Sequence, residues 1–197
     1  MNQFEQLDQM IKEHGGTIQT FQVLEAGISK PAFYKYVKEK ELEKAAHGIY
    51  VSLDAWTDAM YLLHLRCKQV VFSHETALFF HNLTDREPIR YSVTVRTGYN
   101  PSRLQEDGVH VYTVKKELHR VGVTTAKTPF GHTVPVYDME RTICDLLRSR
   151  SRMEIQVFQD AQKQYVQRKD KNLRTLMQCA ALFHVEKLLR QYLEVLL

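Results

Sequence analysis

Lysine side chains at helical spacing are the groups in this sequence whose chemistry is clearest. Lys30, Lys35 and Lys38 lie off the apolar stripe that Phe33 and Tyr36 form on the same predicted helix. Ammonium groups on the outer face of a helix neutralise phosphate, and short or amide side chains beside them reach base edges in the major groove. The spacing therefore predicts a helix that docks onto double-stranded DNA.

The predicted DNA contacts extend to the helix before this one and to a turn after it. Hydroxyl, amide and backbone N–H groups at the start of a helix are suited to phosphate oxygens. Basic side chains in a turn between two strands can follow the DNA backbone or the minor groove. The predicted contact residues are Gln19, Thr20, Gln22, Ser29, Lys30, Tyr34, Lys35, Lys38, Lys44 and His47. The alternative interpretation is a solvated lysine face on a protein-interaction module.

The stretch of residues 17–52 must position these side chains. Thr20 is predicted to cap a short helix, and Ser29 is predicted to cap a second helix that continues to about Lys40. Two short strands follow, joined by a turn that ends in Gly48. Helix, turn, helix and two-stranded ribbon in this order predict a winged helix-turn-helix.

An amphipathic helix precedes this stretch and supplies the rest of the core that such a module needs. Phe4, Leu7 and Ile11 recur at three- and four-residue spacing before two glycines end the helix. Residues 1–52 hold six lysines against seven acidic residues, so DNA contact there depends on local clustering and not on net charge. We therefore predict a winged helix-turn-helix DNA-binding domain in residues 1–52.

The pattern of residues 53–197 predicts an α+β domain. Its first helix is expected to begin near Asp54 and to carry Trp56 on its apolar face. Two-residue alternation in residues 90–137, interrupted by turn signals, predicts a small and mainly antiparallel sheet. A helix capped by Asp138 and further C-terminal helices follow. The predicted fold class of the whole chain is α+β.

No catalytic residue and no metal ligand is predicted. HETAL begins at His74 like the zinc-protease motif H-E-x-x-H, but Leu78 stands at the second ligand position. A partly buried helix histidine is the favoured interpretation of His74 over a metal ligand paired with His81. The sequence also lacks G-x-x-x-x-G-K-[ST], G-x-G-x-x-G, G-x-S-x-G and the D/E-x-K triplet of metal-dependent nucleases. We expect no enzyme activity and no cofactor, with a nuclease of unrecognised type as the enzymatic alternative.

Three arginines cluster between two predicted helices near the end of the chain. Arg148, Arg150 and Arg152 either keep this surface solvated or bind an anionic partner, and the sequence favours neither role. Flanking DNA, RNA and an acidic protein surface fit such a cluster equally well.

Length and composition are those of a globular protein. The 197 residues are 44% hydrophobic and 25% charged, with a net charge of +4. The three cysteines are far apart and include no C-x-x-C pair, which predicts reduced thiols. The sequence has no apolar run of about 18 residues and no signal-peptide pattern at its N-terminus. We expect a cytoplasmic protein without a membrane partner.

Four segments match the motifs of one protein family, in that family's order. GIS-x₃-F-x₂-YV in residues 27–37 and HGIYVS in residues 47–52 resemble the N-terminal module of the AbiEi antitoxin family. FSHETALFFHNL in residues 72–83 and ERTICDLL in residues 140–147 resemble its C-terminal domain, and ERTICDLL is the most specific of the four. One departure is Lys40, where many relatives have a glycine after the second helix.

The resemblance implies a bacterial antitoxin of the AbiE abortive-infection system, encoded beside a nucleotidyltransferase-like toxin. The winged helix-turn-helix would repress its own operon by binding inverted repeats in the promoter, with a second copy of the protein on the DNA. Residues 53–197 would form the antitoxin domain, and the family is described as forming no stable complex with its toxin. The alternative function is a protein-interaction adaptor whose winged helix does not bind DNA.

Overall fold

A computed structural model describes the backbone of residues 2–196 and the side chains of residues 2–194. The chain divides into two compact units. The first extends through Lys68 and also contains Lys127–Thr133, and the second contains Gln69–Ala126 and continues from Val134. These bounds differ from those of the predicted domains, 1–52 and 53–197, which remain predictions about independent folding.

The first unit is built around a small antiparallel sheet. Its helices and strands are α1 (Gln3–Glu13), β1 (Thr17–Gln19), α2 (Thr20–Glu25), α3 (Lys30–Glu39), β2 (Glu43–Ala46), β3 (Ile49–Val51) and α4 (Ala59–Arg66). β3 lies between β1 and β2 and pairs with both in the antiparallel sense, so that Ile18 stands opposite Tyr50. A bulge between Lys44 and Ala46 interrupts the pairing of β2 with β3 just before the ribbon turns.

Caps and apolar spacing account for the helices of this unit. Asn2 caps α1 in a capping box with Glu5, whose Oε2 accepts a hydrogen bond from the Asn2 backbone N–H at 2.8 Å. Ser29 caps α3, as predicted, by accepting from the backbone N–H of Ala32 at 3.4 Å. The apolar faces of the helices meet the sheet in one core. Its buried members are Leu7, Ile18, Val23, Ile28, Phe33, Tyr36 and Tyr50.

The start of α2 differs from the prediction. Thr20 is the first residue of the helix, and Gln19 occupies the capping position without a side-chain cap bond. The reason is β1, which keeps the chain extended up to Gln19, opposite Ile49 of β3. A strand of three residues is too short for side-chain alternation to reveal, so the sequence pattern did not predict β1.

The start of α4 also differs from the prediction. The helix begins at Ala59 and not near Asp54, because Asp58 caps it by accepting from the backbone N–H of Tyr61 at 3.0 Å. Trp56 therefore lies before the helix, and its side chain is 83% exposed.

The loop Lys127–Thr133 belongs to the first unit, and His132 holds it there. Nδ1 of the His132 ring lies 2.8 Å from Asp58 Oδ2, and Nε2 lies 3.1 Å from the backbone carbonyl oxygen of His14. The Tyr61 ring stacks on the His132 ring with the two ring centres 4.1 Å apart.

The second unit combines a sheet with flanking helices. Its elements are β4 (Val71–Phe72), α5 (His74–Phe80), β5 (Ser92–Arg96), α6 (Ser102–Glu106), β6 (His110–Val114), β7 (Val123–Lys127), β8 (Thr133–Tyr137), α7 (Met139–Ser149), α8 (Ile155–Gln167), α9 (Leu173–Leu182) and α10 (Glu186–Leu196). The strand order is β6-β5-β4-β8-β7. Short 3-10 turns occupy Lys116–Leu118 and Arg150–Arg152.

This larger sheet is more mixed than the alternating pattern predicted. β4 pairs with β5 in the antiparallel sense, but β4 pairs with β8 and β5 pairs with β6 in parallel. Alternation of side chains reports a buried face and carries no information about strand direction. The helix α6 between β5 and β6 returns the chain for a parallel pairing, which a tight hairpin could not do.

Helix α7 lies in the core of the second unit. Asp138 caps it, as predicted, by accepting from the backbone N–H of Arg141 at 2.7 Å. Residues 140–147 are all buried. Arg141 donates to Asp145 Oδ2 at 2.9 Å and to two backbone carbonyl oxygens of the loop before β7. The ERTICDLL segment is therefore core structure.

The predicted α+β class and the predicted C-terminal helices, which are α8, α9 and α10, are confirmed. The structure has a small antiparallel sheet in the first unit, whereas the sheet predicted from residues 90–137 is the mixed sheet of the second unit. None of the helices in the described part of the chain has the length and apolar character that a membrane crossing needs.

Candidate functional site

The outer face of α3 presents four of the predicted contact residues to solvent. Lys30, Tyr34, Lys35 and Lys38 are all exposed, and the Tyr34 side chain is 48% exposed despite its aromatic ring. Among the described residues, no carboxylate forms an ion pair with any of the three lysines. An amphipathic helix with unpaired cations on its outer side is suited to an anionic partner.

Contacts with α1 fix the direction of this face. The Tyr36 hydroxyl donates to Asp8 Oδ1 at 2.6 Å, and the Lys40 ammonium lies 3.1 Å from the same oxygen. The hydrogen bond from Tyr36 and the charge of Lys40 lower the pKa of Asp8, so the carboxylate stays ionised between them. The Lys35 ammonium lies 6.0 Å from the ring centre of Phe4. These contacts hold α3 at one angle on α1.

The ribbon of β2 and β3 carries the two other basic residues of the predicted set. Lys44 is exposed on β2, opposite Tyr50, and His47 is exposed at the turn. The turn is held against the start of α2, because the Thr20 backbone N–H donates to the Gly48 carbonyl at 2.8 Å. Gly48 has a φ of 71°, a backbone conformation that favours glycine. The ribbon turn and the start of α2 therefore lie side by side.

A groove of about 430 Å³ brings four predicted residues together with the end of α4. Gln19 and Thr20 line it beside Lys30 of α3 and His47 of the ribbon turn. Gln19 is only 5% exposed, so this groove is where its side chain borders the surface. The predicted residues that do not line the groove are Gln22, Ser29, Tyr34, Lys35, Lys38 and Lys44.

The three arginines at the end of α7 and in the turn after it lie in three different environments. Arg148 Nη1 is 3.3 Å from Asp145 Oδ1, and its guanidinium lies 5.1 Å from the ring centre of Phe183. Arg150 donates to a backbone carbonyl of the last turn of α7 at 3.2 Å. Arg152 lines a separate cavity of about 540 Å³ in the second unit. A role for these residues in binding an anionic partner stays a prediction.

His74 is a buried residue at the start of α5, as the favoured interpretation of the sequence holds. It is 2% exposed, and its ring stacks on Tyr112 with ring centres 3.4 Å apart. Its two nitrogens lie 3.0 Å from Ser73 Oγ and 3.1 Å from Ser149 Oγ. Hydroxyls both donate and accept, so these contacts are complete with a neutral ring. Burial, followed by the charges of three nearby arginines, lowers the pKa of His74 to about 3.

Acid is therefore expected to destabilise the protein through His74. The unfolded residue binds a proton below about pH 6.5, whereas the folded residue resists protonation down to about pH 3, so the free energy of unfolding falls as the pH falls through this window. One such proton contributes up to about 1.4 kcal/mol per pH unit. His74→Asn is expected to make this pH dependence shallower, because it removes the titrating imidazole. Asparagine is the chosen replacement because it tolerates the left-handed backbone at this position, where φ is 48°. Urea unfolding across the same pH range measures the change.

The matched control is His110→Asn, which removes an exposed imidazole from the same unit. Comparison of the two variants separates the titration of His74 from the general effect of losing a histidine. An equal pH dependence in both variants would contradict the assignment to His74.

Potential metal ligands are dispersed within the residues that the structure describes. No group of three or more His, Cys, Asp or Glu side chains is placed there to hold a metal ion. His81 Nε2 donates to the backbone carbonyl of Tyr137 at 2.6 Å. Cys67, Cys144 and Cys179 are buried and form no disulfide.

Comparison with known proteins finds a similar fold. No protein-family model matches the chain, and no curated protein matches it. The crystal structure of the RV2827C protein from Mycobacterium tuberculosis is similar over 88% of this chain and 69% of that chain, with a TM-score of 0.59 and 11% sequence identity. At this identity the likeness shows the fold alone.

Two basic residues of the groove were missed by the sequence prediction. Arg66 and Lys68, at the end of α4, line the same groove as Lys30 and His47. The sequence feature that could have indicated them is the pair of basic residues in R-C-K, at the C-terminal end of an apolar helical segment. Because this segment is far from α3 in sequence, only the packing of α4 reveals that the two clusters meet.

Proposed function

We propose that the first unit is a winged helix-turn-helix module that binds double-stranded DNA. The observation that carries this proposal is the outer face of α3, where Lys30, Lys35 and Lys38 are exposed and without an ion pair among the described residues. In such a module the second helix enters the major groove, and its cations neutralise phosphate. Tyr34, on the same face, would contact a base edge or the sugar–phosphate backbone.

The elements around α3 support the same proposal. The order α1, β1, α2, α3, β2, β3 places a two-stranded ribbon directly after the helix, where a wing is expected. Lys44 and His47 of the ribbon would contact the DNA backbone or the minor groove. Thr20 and Gln22 would contact phosphates near the start of α2.

We further propose that the protein is an antitoxin that represses its own operon in the cytoplasm. The four sequence segments that resemble the AbiEi antitoxin family support this, as does the DNA-binding surface proposed for the first unit. The functional partner would be a nucleotidyltransferase-like toxin encoded beside it, without a stable complex. Two copies would occupy inverted repeats whose centres are separated by about 34–36 Å or a multiple of that distance.

A mobility-shift titration tests the DNA-binding half of the proposal. The full chain is expected to bind the DNA immediately upstream of its own gene with an affinity about 10³-fold or more higher than its affinity for an unrelated duplex of equal length. The salt concentration is held the same for both duplexes, because phosphate contacts make affinity depend on salt. Equal binding to the two duplexes, or binding to neither, would contradict the repressor proposal.

Coexpression tests the antitoxin half of the proposal. The adjacent reading frame is expected to encode a nucleotidyltransferase-like protein that arrests growth when expressed alone. The full chain should restore growth, and the Lys35→Ala, Lys38→Ala variant should restore it equally, because neutralisation is assigned to residues 53–197. Growth arrest that persists with the wild-type chain would overturn the antitoxin assignment.

An exposed aromatic pair favours a second candidate function, that of a protein-interaction adaptor. Trp56 and Phe130 are 83% and 50% exposed, and both line a cavity of about 500 Å³ in the first unit. Exposed aromatic side chains are frequent anchors of protein interfaces. An adaptor would form a stable complex with a protein partner, and Trp56→Ala would weaken that complex. The mobility of promoter DNA in the presence of an adaptor would not change with salt concentration.

A further inference from the structure

The groove beside α3 is basic on two sides. Lys30 and His47 line it from α3 and the ribbon turn, and Arg66 and Lys68 line it from the end of α4. In the part of the chain that the structure describes, no acidic side chain lines this groove. Its volume of about 430 Å³ leaves room for a phosphodiester and part of the adjoining sugars.

Lys68 has no anionic partner in the described part of the first unit. It forms no ion pair there, and partial burial of its ammonium lowers its pKa although much of the side chain is exposed. Burial, followed by the charge of Lys68, lowers the pKa of His64 to about 4, so this neighbouring ring stays neutral at physiological pH. A partly desolvated cation without a counterion is stabilised when an anion binds beside it.

The Thr20 hydroxyl is a second and independent observation at the groove. Its oxygen is buried and has no hydrogen-bond partner among the described residues. Gly48 lines the groove beside it, and a Cβ atom at Gly48 would lie 3.6 Å from this oxygen. After a rotation about χ1, or through a bridging water, the hydroxyl can donate to a phosphate oxygen.

We propose that this groove binds a backbone phosphate of the DNA, so that Arg66, the last residue of α4, and Lys68, which follows the helix, extend the DNA-binding surface beyond the helix-turn-helix and its ribbon. The inference rests on the proposed DNA-binding function. A DNA phosphate is favoured over a free anion because the groove shares Lys30 and His47 with the proposed DNA face. A strand that contacts α3 therefore passes beside it.

Lys68→Ala tests this assignment in the full chain. The variant is expected to make the slope of log K against log salt shallower by roughly 0.9 on the DNA upstream of the gene. Its affinity should fall by the same factor on an unrelated duplex, because a phosphate contact carries no sequence information. Lys12→Ala, which removes a lysine from a different cavity of the same unit, is the control and should keep the wild-type slope.

Methylphosphonate substitution identifies the phosphate. When single phosphates are neutralised in turn, one position should weaken wild-type binding more than it weakens the binding of Lys68→Ala, because Lys68 contributes to that contact only in the wild-type protein. If Lys68→Ala keeps the wild-type slope while Lys38→Ala makes it shallower, the groove proposal is overturned and the proposed function stands. If the wild-type protein does not bind the upstream DNA, both are overturned.

Inorganic phosphate at constant ionic strength distinguishes a small-anion site from a DNA contact. In NMR titrations, DNA is expected to shift the resonances of Thr20 and Lys68. Shifts caused by inorganic phosphate and not by DNA would make the groove a small-anion site and overturn its assignment to the DNA backbone.

Discussion

Replacing Arg141 with alanine is expected to lower the free energy of unfolding by about 3–5 kcal/mol. Arg141 is 1% exposed, and its guanidinium lies 4.1 Å from the ring centre of Tyr137 and 3.9 Å from that of Phe183. The substitution leaves Asp145, which is 2% exposed, with Arg148 as its remaining charged partner. Because burial already raises the pKa of Asp145, loss of the nearer arginine makes its ionised form more unfavourable still.

The backbone carbonyls of Leu118 and Val121 add to this effect, since each accepts from Arg141 Nη1 at 2.9 Å. Packing alone is not expected to rescue the site, so Arg141→Met should remain strongly destabilised. Adding Asp145→Leu to Arg141→Met should recover part of the loss, because an apolar pair avoids a buried carboxylate without its main partner.

Arg190→Ala is the matched control for Arg141→Ala. Arg190 pairs with Glu186 at 2.8 Å on α10, but its side chain is 61% exposed. Exposed ion pairs contribute about 0–1 kcal/mol, so this variant should unfold nearly as the wild type does. Chemical denaturation compares the two, and an equal loss in both variants would contradict the structural role of Arg141.

Replacing Lys35 and Lys38 together with alanine is expected to weaken binding to the DNA upstream of the gene. The slope of log K against log salt should become shallower by roughly 0.9 for each phosphate contact that is lost. Both side chains are exposed on α3, and alanine is a strong helix former, so the helix should persist. Affinities measured at several salt concentrations give the slope.

Lys12→Ala combined with Lys163→Ala is the control, because it removes the same charge from exposed lysines outside α3. This control should keep the wild-type slope. A Lys35→Ala, Lys38→Ala variant that also keeps the wild-type slope would remove both lysines from the DNA interface.

The sequence was sufficient to predict those helices whose ends and buried faces are determined by residues close together in the sequence. Ser29 caps α3, and Phe33 and Tyr36 form its buried side, because capping and helical periodicity depend on neighbours within a few positions. The exposed lysines of α3 follow from the same periodicity. This part of the candidate site was therefore predictable before the structure.

Features that depend on distant pairing could not be predicted in the same way. β1 has three residues and exists because β3 pairs with it, and the parallel pairing of β5 with β6 depends on the path of the chain between them. The groove has the same origin, since Lys68 meets Lys30 only through packing of α4. The prediction for Trp56 was wrong for a different reason. Its apolar side chain suggested the buried face of a helix, but Trp56 is exposed and lies before Asp58, which caps that helix.

The ERTICDLL segment, which carried the most specific part of the family resemblance, is a buried structural segment. Residues 140–147 form the buried part of α7, where Arg141 and Asp145 hold the helix to its surroundings. The Glu140 carboxylate accepts from the Tyr165 hydroxyl at 3.0 Å and from the Asn172 backbone N–H at 2.9 Å. Substitutions in this segment are therefore expected to abolish activity through unfolding, whichever activity the second unit has.

Footprinting of the full upstream region by the wild-type protein tests the central claim most directly. If α3 docks in the major groove and two copies bind inverted repeats, two protected half-sites should appear, related by dyad symmetry and spaced by whole turns of the duplex. Protection should disappear together at both half-sites in the Lys35→Ala, Lys38→Ala variant. Uniform protection without a boundary, or no protection at concentrations that saturate the mobility shift, would contradict the account.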